Sequence, residues 1–268
     1  MSCPSATLVV WTSAWLHGSA AADDVLDALQ SWGEPHLVNS NDDGTAATLD
    51  LPGRGERPAP PALLLAALRR AGVTGGGIAL PVPGDVRELG GRSPFADAAI
   101  KVGEAVVLAS AGLGVVPVRS TIPDNGTEVR WTVYDLPASG PGEYIPLAEA
   151  EHKLAGAMRA AATALVELDV ARHRPNVRAE IGELVAAQPR LPWPPGMPAR
   201  AMRVLQRAAE VAAILRVASG DEPGAALSAS AARARAEALR PLDDAVRMAR
   251  RAAVNESVRV LSESANQH

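Results

Sequence analysis

The 268-residue sequence is poor in cysteine, lysine and aromatic side chains, and each shortage removes a class of explanation. Its one cysteine, Cys3, precludes an internal disulfide. Next to Pro4 at the chain end it is also a poor place to hold a thiolate nucleophile. A reducing cytoplasm is the expected compartment. Aromatics make up 3% of the chain, and the residues after 145 contain one tryptophan, Trp193. That is too few to interleave with basic residues as a single-strand nucleic-acid surface does. Lysine occurs only at Lys101 and Lys153. The abundance of arginine, alanine, glycine and proline is what high-GC coding produces without a functional cause.

Long apolar runs are missing too. The longest uncharged one, Ala105 to Val118, contains Gly112, Gly114 and Pro117 and falls short of the ~20 residues a spanning helix needs. No Lys or Arg occurs in residues 1–22, so the basic start of an export signal is absent. A protein without membrane association is expected. The common catalytic and phosphate-binding signatures are also absent. No Gly-Lys-Ser/Thr tail follows a glycine loop, and no Gly-x-Ser-x-Gly elbow occurs. "TGGG" (Thr74–Gly77) precedes its predicted strand, and "GLG" (Gly112–Gly114) falls in a predicted hairpin, so neither meets a helix N-terminus as phosphate binding requires. No cofactor is expected. Nor is a metal. Glu149 and His152 have the i, i+3 spacing of a di-iron helix but no second such pair, and Asp169 and His173 read as a local pair at a helix end.

What is present is a foldable composition, with 47% hydrophobic and 21% charged residues. Charge is split along the chain. Residues 1–145 carry 9 basic and 16 acidic side chains (net −7), and residues 146–268 carry 17 and 14 (net +3), which together make the overall −4. Opposite halves of this kind attract in a symmetric assembly, and a homo-oligomer is expected.

The pattern predicts an α/β domain with a mixed sheet over 1–145 and an all-α helical bundle over 146–268. Strands are predicted at Ala6–Trp11, Thr45–Pro52 and Gly75–Val82, with helices at Ser19–Trp32, Ala62–Arg70 and Pro94–Val102. Ser93 is the expected cap of the third helix. Strands separated by single helices imply parallel pairing, and the β-branched runs after Glu104 imply hairpins. Residue 138 onward to Pro146 is rich in Gly and Pro and marks the domain break. Beyond it, Leu154, Met158, Ala161, Leu165 and Leu168 form one helical stripe, and Val204, Ala208, Val211, Leu215 and Ala218 another. Pro241 is expected to start the last helix. Its stripe of Leu239, Leu242, Val246, Ala249 and Ala253 is a candidate dimer surface.

Ligands in open β-α sheets sit beyond the carboxyl ends of parallel strands. If strands one and three are parallel, "WTSAWLHGS" and "PVPGDVREL" meet there, bringing together Trp11, Ser13, Trp15, His17, Ser19, Gly84, Asp85 and Arg87. On that reading a small anionic ligand is held by Arg87, with His17 as acid or base and Asp85 as its charge partner. A plainer reading makes the second stretch a stiff corner in which Asp85 pairs with Arg87. Nucleic-acid binding by the arginines from 233 to 251 is disfavoured, because Glu237, Asp243 and Asp244 interrupt them.

The stretches "LPVPGDVREL", "FADAAIKVGEAVV", "GLGVVPV" and "YIPLAEAEHKL" resemble a family of conserved, functionally uncharacterised proteins of high-GC Gram-positive bacteria. The resemblance spans most of the chain and implies no activity, so no catalytic role is carried over. The leading expectation is a non-catalytic protein binding a partner or ligand, ahead of an enzyme acting on a small anionic metabolite.

Overall fold

Pro4 opens helix α1 (Pro4–Leu16) in the computed structural model, which describes residues 3–123, 126–136, 144–167, 177–187, 191–219 and 229–265. This corrects the strand expected at Ala6–Trp11. The segment is apolar or small on every face, so it shows no helical period, and the residues from Pro4 to Ala14 are all buried. At 13 residues it is also longer than most strands. Helix α2 (Ala22–Gln30) follows with Asp23 and Asp24 in its first turn, where they favour the helix dipole. Strand β1 (His36–Ser40) was not anticipated. Its inward residues are His36, Val38 and Ser40, so the apolar alternation that marks a strand is hidden.

The strand expected at Thr45–Pro52 is instead helix α3 (Asp43–Leu49). Asp42 caps it, accepting hydrogen bonds from the Thr45 amide and hydroxyl at 2.9 Å each, and these bonds lower the Asp42 carboxyl below its usual range. Helix α4 (Pro61–Arg70), strand β2 (Gly77–Ala79) and helix α5 (Pro94–Val102) lie where the pattern puts them, and Ser93 caps α5 through the Ala96 amide. Strands β3 (Ala105–Leu108), β4 (Leu113–Ile122) and β5 (Gly126–Asp135) complete one five-stranded sheet of order β1-β5-β4-β3-β2. The sheet is mixed. Only the β1–β5 pair is parallel, and the β2–β3, β3–β4 and β4–β5 pairs are antiparallel. Pro117 in β4 lies beyond the residues paired with β3, so its missing N–H leaves that pairing intact.

The glycine runs serve packing. A Cβ on Gly114 would overlap the fully buried Phe95 ring. One on Gly76 would come within 2.9 Å of the Val107 carbonyl oxygen.

Next come helices α6 (Leu147–Glu167), α7 (Val177–Ala186), α8 (Ala199–Ser219) and α9 (Ala229–Ala265). Residues 169 and 173 lie outside the described residues, as do Leu168 and most of the Gly/Pro stretch before Pro146. Helix α9 does not begin at Pro241 but carries it internally. Buried Leu239, Leu242, Ala245 and Val246 flank the proline and hold the helix together across the lost backbone donor. The stripe from Leu239 to Ala253 is buried within the single chain, so it is not an open dimer surface.

Two compact units result. One comprises Cys3–Tyr144, Arg190–Pro198 and the chain from Val254, and the other Ile145–Pro189 and Ala199–Ala253. The end of α9 therefore belongs to the core of the sheet-bearing unit. A Cβ on Gly77 would lie 2.9 Å from Asn255 Oδ1 and one on Gly75 3.3 Å from Val258, so the "TGGG" glycines admit this helix. Val254, Ser257 and Leu261 are buried on it.

At the other edge of that unit, Trp131 donates from Nε1 to His36 Nδ1 at 2.9 Å. The acceptor role of Nδ1 makes His36 neutral, with its proton on Nε2. Burial pushes its pKa down, opposed by the nearby Gly33 and Leu29 carbonyls and by Glu34.

Candidate functional site

With residues 6–11 helical, the rim expected between two parallel strand ends has lost its frame. "WTSAWLHGS" is a helix terminus. The amide of Ser19 donates to the Ala14 carbonyl and that of Gly18 to Trp15, with Gly18 at φ +81°, which together form a Schellman cap. His17 directs Nε2 at the Thr74 carbonyl oxygen, 2.8 Å away. Trp11 donates from Nε1 to the Pro192 carbonyl at 3.0 Å and clusters with Trp15, Val25, Ala28 and Leu65. Arg69 stacks on Trp15, 4.0 Å from the ring centre. Ser13 is 1% exposed and borders a void of about 10 Å³ with Thr12, Gly75 and Gly76. That is roughly one water's worth of space.

"PVPGDV" is a tight turn. Val82 and Asp85 exchange both backbone hydrogen bonds, and Gly84 takes φ +89°, as the position after proline requires in a type II turn. Arg87 donates from Nε and Nη2 to the two Asp85 carboxylate oxygens at 2.8 and 3.0 Å. The structure thus joins Asp85 to Arg87 and Trp11 to Trp15, and it sends His17 to a backbone carbonyl.

A larger opening lies in the helical unit. Glu151, Leu154, Ala155, Met158 and Arg159 of α6 and Arg203, Val204 and Arg207 of α8 line a groove of about 470 Å³. This is within the size range of small-molecule sites. Leu154 and Val204 are buried and form its floor, with half-buried Ala155 and Met158 beside them. At one end Arg200 grips Glu151 through Nε and Nη2 at 3.0 and 2.9 Å, which neutralises the one acid among the described lining residues. Arg207 approaches Glu210 only to 3.9 Å. Arg159 and Arg203 form no ion pair with any described residue.

The sequence pattern places Leu154, Met158 and Val204 in helical stripes and singles out none of these arginines. A tertiary juxtaposition of two helices about fifty residues apart leaves no linear signal. Two arginines of α9 differ from those in the groove, since Arg247 pairs with Asp244, and Arg259 with Glu256 and Glu263. Among the described residues no cluster of three or more His, Cys, Asp or Glu is placed to hold a metal, and no helix is long and apolar enough to cross a membrane.

No solved structure matches the chain. It is 36% identical to the uncharacterised protein Rv1486c of Mycobacterium tuberculosis, over 95% of this chain and 96% of that one. Identity to the uncharacterised protein ML1804 of Mycobacterium leprae is 35%, over 95% and 97%. Two family models cover most of the sequence, an N-terminal domain over residues 5–144 and a C-terminal domain over 148–251. The chain therefore belongs to the Rv1486c-like protein family, with both of that family's domains present.

Proposed function

We propose that this is a non-catalytic binding protein that recognises an anionic group through the α6–α8 groove. The observation that carries the reading is the pair of guanidinium groups, Arg159 and Arg203, one from each helix and neither neutralised by a described residue, above an apolar floor. Arginine keeps its proton at any physiological pH, so a groove whose polar groups are arginines and one already paired glutamate is suited to holding an anion, not to moving protons. The groups first considered for chemistry are engaged structurally, His17 with the Thr74 backbone carbonyl and Asp85 in a local ion pair. The single cysteine, Cys3, is buried and in no internal disulfide, which fits a reducing cytoplasm, and the opposite net charges of the two halves favour a homo-oligomer.

Thermal-shift screening against anionic, neutral and cationic metabolites tests the reading, because a ligand bound only by the folded state raises its melting temperature. Anionic compounds should raise it in the wild type and fail to do so in an Arg159→Glu/Arg203→Glu variant. Hits that persist undiminished in that variant would refute the assignment.

A further inference from the structure

We infer that the groove's ligand is a single-chain anionic amphiphile, a carboxylate or phosphate monoester carrying an unbranched apolar tail. The inference rests on the binding reading above and narrows it. Glu151 and Arg200 meet near the starts of α6 and α8, and both helices line the groove up to two turns further on, so they run in the same direction along it. From Glu151 to Arg159 the helix advances roughly 12 Å, the reach of a medium-length acyl chain. Half-buried Ala155 and Met158 follow this line as an apolar strip over the buried Leu154 and Val204.

Charge rises along the groove. The Glu151–Arg200 pair is self-neutralised, Arg203 follows one turn on, and Arg159 and Arg207 follow two turns on. A guanidinium presents paired N–H donors that match the oxygens of a carboxylate or phosphate. An anionic head placed between Arg159 and Arg207 leaves its tail on the strip, directed past Arg203 toward the neutral end. Both halves of the ligand are needed. A bare anion would leave half-buried Ala155 and Met158 uncovered, and a bare alkyl chain would leave two charges without a partner. Methionine suits such a floor because its unbranched thioether adapts to tails of differing length.

Calorimetric titration of the full chain with decanoate, decyl phosphate, hexanoate and decyltrimethylammonium, each below its micelle concentration, tests this. Each methylene laid on the floor tightens binding by up to about fourfold, so decanoate should bind at least about tenfold more tightly than hexanoate. Decyl phosphate should bind as well, and which of the two anions is tighter identifies the preferred head. Decyltrimethylammonium should not bind. The Arg159→Glu/Arg203→Glu variant should lose decanoate, and Met158→Asp should weaken it while sparing the fold, since Met158 is half-buried at the groove edge. Equal affinity for hexanoate and decanoate, or no binding of either decyl anion, would overturn the amphiphile assignment and leave anion recognition standing. Binding of the cationic surfactant as tightly as decanoate, or decanoate binding unchanged in the arginine variant, would overturn both.

Discussion

The candidate polar groups of the sheet-bearing unit and those of the α6–α8 groove are treated in opposite ways. In the former, Ser13 is sealed, His36 receives the Trp131 indole, and His17 meets a backbone carbonyl. Three of that unit's glycines are covered by neighbours, Phe95 over Gly114 and the end of α9 over Gly75 and Gly77. The groove of the helical unit instead leaves Arg159 and Arg203 without an ion-pair partner among the described residues. Close packing stabilises but leaves nothing free to recognise a ligand, whereas uncompensated charge beside apolar surface is where binding energy is available.

The largest effect that could break this contrast concerns the end of α9. If residues from Val254 onward are part of the sheet-bearing core, deleting them removes Val254, Ser257, Val258 and Leu261 from its interior. The milder Leu261→Ala change alone should cost about 3 kcal/mol, and the deletion should prevent cooperative unfolding of that unit in urea. A deletion variant with an unchanged urea midpoint would remove the helix from the core.

A second effect depends on pH. His36 is held neutral in the folded state with its pKa below the ordinary 6.5, so the unfolded chain binds the extra proton as pH falls through that value. Stability should therefore be at its full level above about pH 6.5 and decline below it, by at most about 1.4 kcal/mol per pH unit. Protonation at Nδ1 would also turn the Trp131 acceptor into a donor. Urea titrations of wild type and His36→Gln between pH 5 and 8 should differ in slope on the acid side, and parallel curves would contradict this account.

Smaller still is the cap of α3. Asp42→Ala should destabilise by about 1 kcal/mol through loss of the bonds to Thr45. Smallest is the groove itself. Arg159→Glu/Arg203→Glu should move stability by less than about 0.5 kcal/mol, since exposed groups without partners hold nothing in place. A loss of several kcal/mol there would mark these arginines as structural and blur the contrast between the units.

Legibility in the sequence followed periodicity. Helices α4 and α5 show an amphipathic period and a start signal, Pro61 or Ser93 with Pro94, and they lie where expected. Helix α1 has no polar face because it is buried all round, which makes a run such as "TLVVW" look like a strand. Strand β1 fails in the converse way, since two of its three inward residues, His36 and Ser40, are polar. The α3 segment is too short to show a period, yet Asp42 and Thr45 already spell its cap. The Pro83-Gly84 turn was legible because the dipeptide prescribes its own backbone. The groove was not, because its residues become neighbours only when α6 and α8 come together.

The central claim is that recognition resides in the groove and not in the sheet-bearing unit. Methyl NMR of methionine-labelled protein titrated with decanoate tests it most directly, because Met158 lines the groove while Met197 is buried in the other unit. The account predicts a saturable shift of the Met158 methyl resonance, abolished by Arg159→Glu/Arg203→Glu, with Met197 unmoved. A shift confined to Met197, or a Met158 resonance indifferent to the ligand, would contradict it.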